Sequence, residues 1–172
     1  MKNKLFLAFI LLFFSLTARA DVFDYPSKIS SFINEIPEIT NITCDFKQQK
    51  DIKNVKKPVI SGGKFTFDRE KGVLFETLYP VKSTVSYNNR DYKQINVVIK
   101  AISDKKYSTI ESEFDFYFQN GKDKWELGLK PKKSSKSKEL LSSIEIYGSA
   151  QIDKIIIRTQ NGNKTTIWFT AK

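Results

Sequence analysis

The stretch SGGKFTFDREKGVLFETLYP, residues 61–80, contains two runs of β-forming residues around a polar turn. In the first run Phe65 and Phe67 alternate with polar residues, which is typical of a strand with one buried face. The turn at 68–72 is rich in charged residues and glycine, and Pro80 ends the second run. We therefore predict a β-hairpin. Its second arm has bulky apolar residues on both sides, so we expect both of its faces to meet apolar material.

The N-terminal segment has the composition of a secretory signal peptide. Two lysines precede an apolar run at 5–16, and Ala18-Arg19-Ala20 has the small-x-small form that signal peptidase accepts. The apolar run is about 12 residues long, which is short of the ~20 needed to span a bilayer. A buried N-terminal helix is the alternative interpretation. We predict that residues 1–20 are a signal peptide cleaved after Ala20, and that 21–172 form a single domain.

Residues 21–172 carry an excess of positive charge. The full sequence has 29 basic and 19 acidic side chains, and three of the basic ones lie before residue 21, so the remaining chain has a formal net charge of +7. In an exported protein this charge favours anionic lipid headgroups or an acidic partner, and makes nucleic acid an improbable ligand. A surface that is basic only for solubility is the alternative.

Cys44 is the only cysteine in the sequence, so it has no partner for an intramolecular disulfide. It lies in a run in which apolar and polar residues alternate, and we predict that it is a small buried residue of a strand. Its position is 24 residues beyond Ala20. It is therefore not the lipidated first residue of a lipoprotein, and we expect a soluble protein without a lipid anchor.

The rest of the chain indicates many strands and few helices. A strand is expected at 39–49, a pair of strands at 83–87 and 92–99, and a second aromatic hairpin at 114–131. A capping-box pattern at 108–111 predicts a short helical turn. Four apolar residues between two prolines have the spacing of an amphipathic helix of about ten residues: Ile29, Phe32, Ile33 and Ile36.

These elements predict a mainly β (α+β) fold. We expect nine or ten strands in a single strongly curved antiparallel sheet, or incomplete β-barrel, with the N-terminal helix and one or two short helices covering the concave side. A closed sandwich without a cavity is the structural alternative. The large rings outnumber the partners that one helix can offer, which indicates a cavity, while a plain aromatic core is the commoner reason for such a stripe. The side chains predicted to line this cavity are Phe32, Ile33, Phe65, Phe67, Phe75, Phe114, Phe116, Phe118, Trp125 and Leu127.

Residues suited to catalysis are scarce. The sequence has no histidine, which excludes Ser-His and Cys-His pairs and histidine-based metal sites. The pairs Glu111 with Glu113 and Asp68 with Glu70 lie in charged segments and are more typical of a solvated face than of acid-base catalysis. No phosphate-binding glycine pattern is found. We predict that the protein is not an enzyme and needs no cofactor or metal.

Several short motifs follow the predicted N-terminal helix in a fixed order. They are Phe46-Lys47-Gln48, Ser61-Gly62-Gly63-Lys64-Phe65, Arg69, Gly72-Val73-Leu74-Phe75, Pro80, Trp125-Glu126-Leu127-Gly128-Leu129-Lys130-Pro131 and Asn161-Gly162-Asn163-Lys164-Thr165-Thr166-Ile167. In this order, over nearly all of residues 21–172, they resemble the outer-membrane lipoprotein carrier (LolA-like) family. Phe75 departs from the family pattern, since many members carry tryptophan there.

The resemblance implies a periplasmic carrier, without enzymatic activity, whose apolar cavity holds the acyl chains of a lipidated protein. Such a carrier receives its cargo from an inner-membrane transporter and delivers it to an outer-membrane acceptor. Arg69 matches the basic residue near the cavity mouth that holds the closed lid; an ordinary turn arginine is the alternative. We expect a monomer without stable membrane insertion. A carrier of a glycolipid or polyene lipid, and a non-lipid interaction module, remain alternative functions.

The signal peptide is tested by mass spectrometry of the protein isolated from its own host. We expect an unmodified N-terminus at Asp21, because the cleavage site follows Ala20 and no cysteine lies just beyond it. An acylated N-terminus, or a chain that keeps residues 1–20, would contradict the predicted export.

Overall fold

The computed structural model describes residues 21–86 and 93–170, so the predicted signal peptide and the turn at 88–91 lie outside the described residues. In this part of the chain the strands are β1 (Pro26–Ser27), β2 (Ile42–Asp51), β3 (Val59–Asp68), β4 (Gly72–Tyr79), β5 (Ser83–Ser86), β6 (Phe114–Asn120), β7 (Trp125–Pro131), β8 (Leu141–Gly148), β9 (Ile152–Thr159) and β10 (Lys164–Thr170). The helices are α1 (Ile29–Phe32), α2 (Lys93–Ser103) and α3 (Ser108–Glu111).

All ten strands form one sheet in the order β1-β6-β7-β8-β9-β10-β2-β3-β4-β5, and every neighbouring pair is antiparallel. The predicted mainly β fold with a single antiparallel sheet is therefore confirmed. The predicted strong curvature needs correction, because the sheet is open and not strongly curled. Its two edge strands, β1 and β5, have only two and four residues.

One face of the sheet is apolar from β6 to β4, because alternate residues of each strand point to the same side. The predicted hairpins β3–β4, β6–β7 and β9–β10 are present, and their registers align large side chains, as in Phe65 opposite Phe75 and Phe116 opposite Leu129. Cys44 lies on this face and is buried, as predicted. The apolar face and the helices resting on it form one continuous core.

The N-terminal helix is much shorter than predicted. Only Ile29–Phe32 is helical, because Pro26–Ser27 is held in an extended conformation as β1 and pairs with β6. After Phe32 the chain continues as turns, which still bring Ile36 onto the core beside Phe32; both side chains are fully buried. The apolar stripe was therefore identified correctly although most of it is not helical.

The strand predicted at 92–99 is wrong, because this segment forms the helix α2. Its run of β-branched residues suggested a strand, but Val98, Ile99 and Ile102 also have helical spacing and are all buried. The amide oxygen of Asn96 accepts a hydrogen bond from the Val73 N–H at 3.3 Å, which ties α2 to β4. Tertiary packing on the apolar face thus decides against the strand.

The end of β4 also differs from the prediction that both faces of this arm are covered. Leu78 is 51% exposed and Tyr79 is 47% exposed, because β4 runs past the helical layer.

The helical turn predicted at 108–111 is present as α3, but its N-cap is Tyr107 and no side chain caps it. A short 3₁₀ helix spans Lys136–Glu139 in the loop before β8.

Gly63 marks a register shift between β3 and β4. A Cβ atom at this position would lie 1.9 Å from the carbonyl oxygen of Glu76, so the two strands can approach only because no side chain is present. The β3–β4 hairpin therefore depends on a glycine in its first strand.

We expect Gly63→Ala to lower the free energy of unfolding by about 2 kcal/mol or more, since the backbone of β4 must move to relieve the overlap. Gly121→Ala is the matched control, because its Cβ would lie 3.2 Å from the Lys124 carbonyl oxygen in an exposed turn. Urea unfolding of both variants checks this, and equal stabilities would contradict the close approach.

Candidate functional site

The structure places all ten residues predicted to line a cavity on the apolar face or on the helical layer that covers it. Ile33 and Phe118 are partly buried, and the other eight are buried. Five of the ten take part in two groups of contacting rings: Phe65 and Phe75 in a group over β2, β3, β4 and β10, and Phe32, Phe116 and Phe118 in a group over β6. The lipid-binding role of these residues stays a prediction.

The first group surrounds Phe65. The ring of Phe65 lies 5.0 Å from that of Phe75 and 4.6 Å from that of Phe169, measured between centroids. Phe46 meets Phe75 edge to face at 5.1 Å. Each of these distances is typical of rings in direct contact. The group therefore fills the space between the strands and α2 with its own side chains.

The second group surrounds Phe32, the last residue of α1. Its ring stacks on Phe118 at 5.2 Å and meets Tyr107 edge to face, also at 5.2 Å. Phe116 lies 5.7 Å from Phe32 and 6.3 Å from Tyr107. Phe32 thus fixes α1 to β6 and to the segment before α3 by ring contacts alone.

The interior between these groups is nearly full. An enclosed space between α2 and the sheet has a volume of about 10 Å³, which is about the room that one water molecule needs. It is lined by Ile39, Ile42, Cys44, Phe65, Phe67, Ile99, Ile152 and Phe169. In this conformation the space is too small for any group larger than a water molecule.

An open groove of about 750 Å³ runs beside α1, between this helix, α3 and the start of β6. Its apolar floor is formed by Ile29, Ile33, Phe114 and Phe116. Its lining residues also include three lysines, Lys28, Lys105 and Lys132, and two acidic residues, Glu111 and Asp115. The groove therefore combines an apolar floor, which includes three of the predicted cavity residues, with charged side chains of both signs.

Tyr107 also lines this groove, and its hydroxyl is unusual. The side chain is 1% exposed, and the oxygen atom has no hydrogen-bond partner among the described residues. Burial raises the pKa of Tyr107, so the hydroxyl stays protonated at neutral pH. A buried hydroxyl without a hydrogen-bond partner lowers the stability of the fold.

Arg69 lies in the β3–β4 turn and connects three segments. Its guanidinium donates from Nη1 to Glu38 Oε1 at 2.8 Å and from Nε to Asp104 Oδ1 at 3.1 Å. These two carboxylates, first Asp104 and then Glu38, raise the pKa of Arg69. The side chain therefore joins the hairpin to the segment after α1 and to the residue that follows α2.

The backbone around Arg69 strengthens this connection. The Arg69 N–H donates to Asn41 Oδ1 at 3.0 Å, and Lys100 Nζ of α2 donates to the Arg69 carbonyl oxygen at 2.9 Å. The turn itself is held by the Asp68 carboxylate, which accepts hydrogen bonds from the N–H groups of residues 70 and 71; these bonds help to lower its pKa. Nearby, the buried Ser103 hydroxyl donates to the Ile39 carbonyl oxygen at 2.7 Å.

Sequence reasoning identified Arg69 and missed its partners. Glu38 and Asp104 are distant from Arg69 in the sequence. Asp104 directly follows α2, and this position could not be recognised while the segment was predicted to be a strand. Tyr107 was missed because a single tyrosine in a polar segment carries no signal of burial. Arg69 contacts α2 and the residue that follows it, and not the N-terminal helix α1 on which the predicted latch was expected to act.

We expect Arg69→Leu to speed hydrogen exchange at the backbone amides of α2 and of residues 37–41, because the ion pairs hold these segments on the hairpin. The free energy of unfolding should change little, because Arg69 is exposed and solvent screens its ion pairs. Exchange measured by mass spectrometry on the native protein gives the comparison. Lys71→Leu, an exposed neighbour in the same turn, is the control, and equal exchange in both variants would make Arg69 an ordinary turn residue.

The described residues contain no group of three or more His, Cys, Asp or Glu side chains arranged to hold a metal ion. Among the described helices, none has the length and apolar content required to cross a membrane. The features that stand out are therefore the apolar interior, the groove beside α1 and the polar contacts of Arg69.

No protein-family model matches this chain, and a search of curated proteins found no match. Among solved structures, the crystal structure of the LolA superfamily protein NE2245 from Nitrosomonas europaea matches it, with 8% sequence identity and a TM-score of 0.39. The match covers 84% of this chain and 92% of that one.

Proposed function

We propose that this protein is a periplasmic carrier that binds the acyl chains of a lipidated molecule between its helical layer and the apolar face of its sheet. The observation that supports this most directly is the groove beside α1, whose floor of Ile33, Phe114 and Phe116 is continuous with the buried aromatic groups. The motif order of the lipoprotein carrier family supports a lipoprotein as the cargo. An inner-membrane donor and an outer-membrane acceptor belong to the same proposal.

The free energies of opening and of cargo burial are similar. Opening would expose six side chains of the helical layer that are now buried: Phe32, Ile36, Ile39, Val98, Ile99 and Ile102. Exposure costs about 1.5–3 kcal/mol for each side chain, or on the order of 10 kcal/mol in total. A chain of about 15 methylene groups regains on the order of 10 kcal/mol when it leaves water, at ~0.8 kcal/mol per methylene. The closed form is therefore favoured without cargo, and an acyl chain offsets most of the opening.

The groove gives an entry route. An acyl chain lying on Ile29 and Ile33 would contact the ring of Phe116, and it could then replace the contacts that Phe32 makes with β6. Displacement of Phe32 would release α1, which is only one helical turn long and makes no described salt bridge. In this mechanism α1 is the first part of the layer to open, and α2 follows after the Arg69 contacts are broken.

We expect the purified protein to bind a fluorescent long-chain fatty acyl probe at about one site per monomer, and Ile33→Asp to weaken this binding at least ten-fold by placing a charge on the groove floor. Ile33 is partly buried, so this variant should fold. Trp168→Asp is the matched control, because Trp168 lies on the opposite face of the sheet and is 36% exposed. Fluorescence titration gives the affinities and circular dichroism checks the folding.

A folded wild-type protein that binds no acyl probe and carries no co-purified lipid in native mass spectrometry would contradict the carrier function. That outcome would favour the non-lipid interaction module. Equal loss of binding in the Ile33 and Trp168 variants would instead show that the probe adheres to the protein without using the groove.

One observation favours a carrier of a different lipid, such as a glycolipid or polyene lipid with an anionic group. Lys28, Lys105 and Lys132 outnumber the two acidic residues that line the groove, and a lysine here would pair with a phosphate or carboxylate at the head of the cargo. Competition between a neutral diacylglycerol probe and an acyl phosphate probe distinguishes the two cargoes. Stronger binding of the phosphate, lost in Lys28→Gln with Lys105→Gln, would support the anionic lipid.

A further inference from the structure

The loops at one end of the sheet carry the excess positive charge of the protein. The registers of the strands place four loops at this end: 52–58 between β2 and β3, 80–82 after β4, 132–140 between β7 and β8, and 160–163 between β9 and β10. We call this the loop end. The Arg69 turn lies at the other end of the sheet.

The charge of the loop end is large compared with that of the whole chain. These four loops contain eight lysines and one acidic residue, Glu139, which gives a net charge of +7. Residues 21–172 as a whole also have a formal charge of +7. The remainder of the protein is therefore electrically balanced, and the excess positive charge is concentrated at one end of the molecule.

Contacts between the loops hold this end together. The Lys53 N–H donates to Asn163 Oδ1 at 2.9 Å, which joins loop 52–58 to loop 160–163. The Gln160 N–H donates to the Leu140 carbonyl oxygen at 2.9 Å, which joins loop 160–163 to loop 132–140. Loop 132–140 is further fixed because the buried Ser135 hydroxyl donates to a carboxylate oxygen of Glu113. The lysines are thus presented on a connected surface.

Each of the three loops that contain lysine also has an exposed aliphatic side chain, either within the loop or next to it. Val55 is 52% exposed, Val59 47%, Val81 73% and Leu140 60%. Exposed aliphatic side chains surrounded by lysines suit the boundary between headgroups and acyl chains, where lysines reach the phosphates and aliphatic groups enter the apolar layer.

We propose that the loop end is a docking surface for the anionic face of a lipid bilayer, to which the protein binds reversibly and without spanning it. An acidic protein is less well matched, because protein interfaces are enriched in arginine and aromatic residues and depleted in lysine. The four loops contain lysine as their only basic residue and have no aromatic residue. Anionic bilayers attract lysine and arginine alike, in proportion to the number of charges near the surface.

Docking at this end would place the groove beside α1 close to the membrane. Lys132 belongs both to loop 132–140 and to the groove lining, and Phe114 at the start of β6 pairs with Pro131 just before this loop. The docking surface does not depend on the proposed carrier function, since it rests on charge and exposure at the loop end.

The test is sedimentation of the purified protein with vesicles of phosphatidylcholine alone and with vesicles that also contain phosphatidylglycerol. We expect binding to the anionic vesicles only, weakened by salt, and weakened on the order of 100-fold in the triple variant Lys53→Gln, Lys56→Gln, Lys57→Gln, at roughly five-fold per lysine. The matched control removes the same charge from the other end: Lys71→Gln, Lys122→Gln and Lys124→Gln, all exposed in turns. This control should bind nearly as well as the unmodified protein.

A second variant, Val55→Ser with Val81→Ser, leaves the charge unchanged and tests whether aliphatic side chains enter the bilayer. We expect it to reduce vesicle binding several-fold and to leave binding to soluble polyglutamate unchanged. No binding to anionic vesicles, or equal weakening by the two lysine triples, would overturn the proposal. Binding to polyglutamate as tight as to vesicles, with no effect of the valine changes, would assign the loop end to an acidic protein. Loss of acyl-probe binding has no bearing on these outcomes.

Discussion

The apolar face of an open sheet has to be covered by something other than the sheet itself. Here the cover is thin: α1 and α3 are one turn each, and α2 has eleven residues. The large side chains of the sheet make up for this by contacting one another, so that Phe65, Phe75 and Phe169 fill space that a longer helix would otherwise occupy. The stability of the fold and any binding between the two layers therefore depend on the same contacts.

The polar and apolar contacts of the helical layer differ in what they contribute. Burial of the helix side chains is worth on the order of 10 kcal/mol, whereas an ion pair with exposed partners contributes about 1 kcal/mol or less. The Arg69 ion pairs therefore contribute little of the free energy that keeps the helical layer on the sheet. Their directional bonds to Glu38 and Asp104 instead fix where these two segments rest against the hairpin.

Much of the sheet could be predicted from the sequence, because side-chain alternation directly identifies the buried face of a strand such as β3 or β6. The segment at 92–99 was misassigned because β-branched residues are common in strands and are also tolerated in a buried helix, and only the contacts with β4 decide between them. The nearly filled interior could not be predicted, since composition shows how many rings are present and not how closely they fit. The groove could not be predicted either, because it depends on the position of β1, a strand of two residues that has no sequence signal of its own.

Cys44 lines the small enclosed space beneath α2, and burial raises the pKa of its thiol. A protonated thiol without access to solvent is a poor nucleophile, so the closed form protects it from oxidants and thiol reagents. Separation of α2 from the sheet would remove this protection. The rate at which a thiol reagent modifies Cys44 would therefore measure how often α2 separates from the sheet. This measurement needs no introduced label.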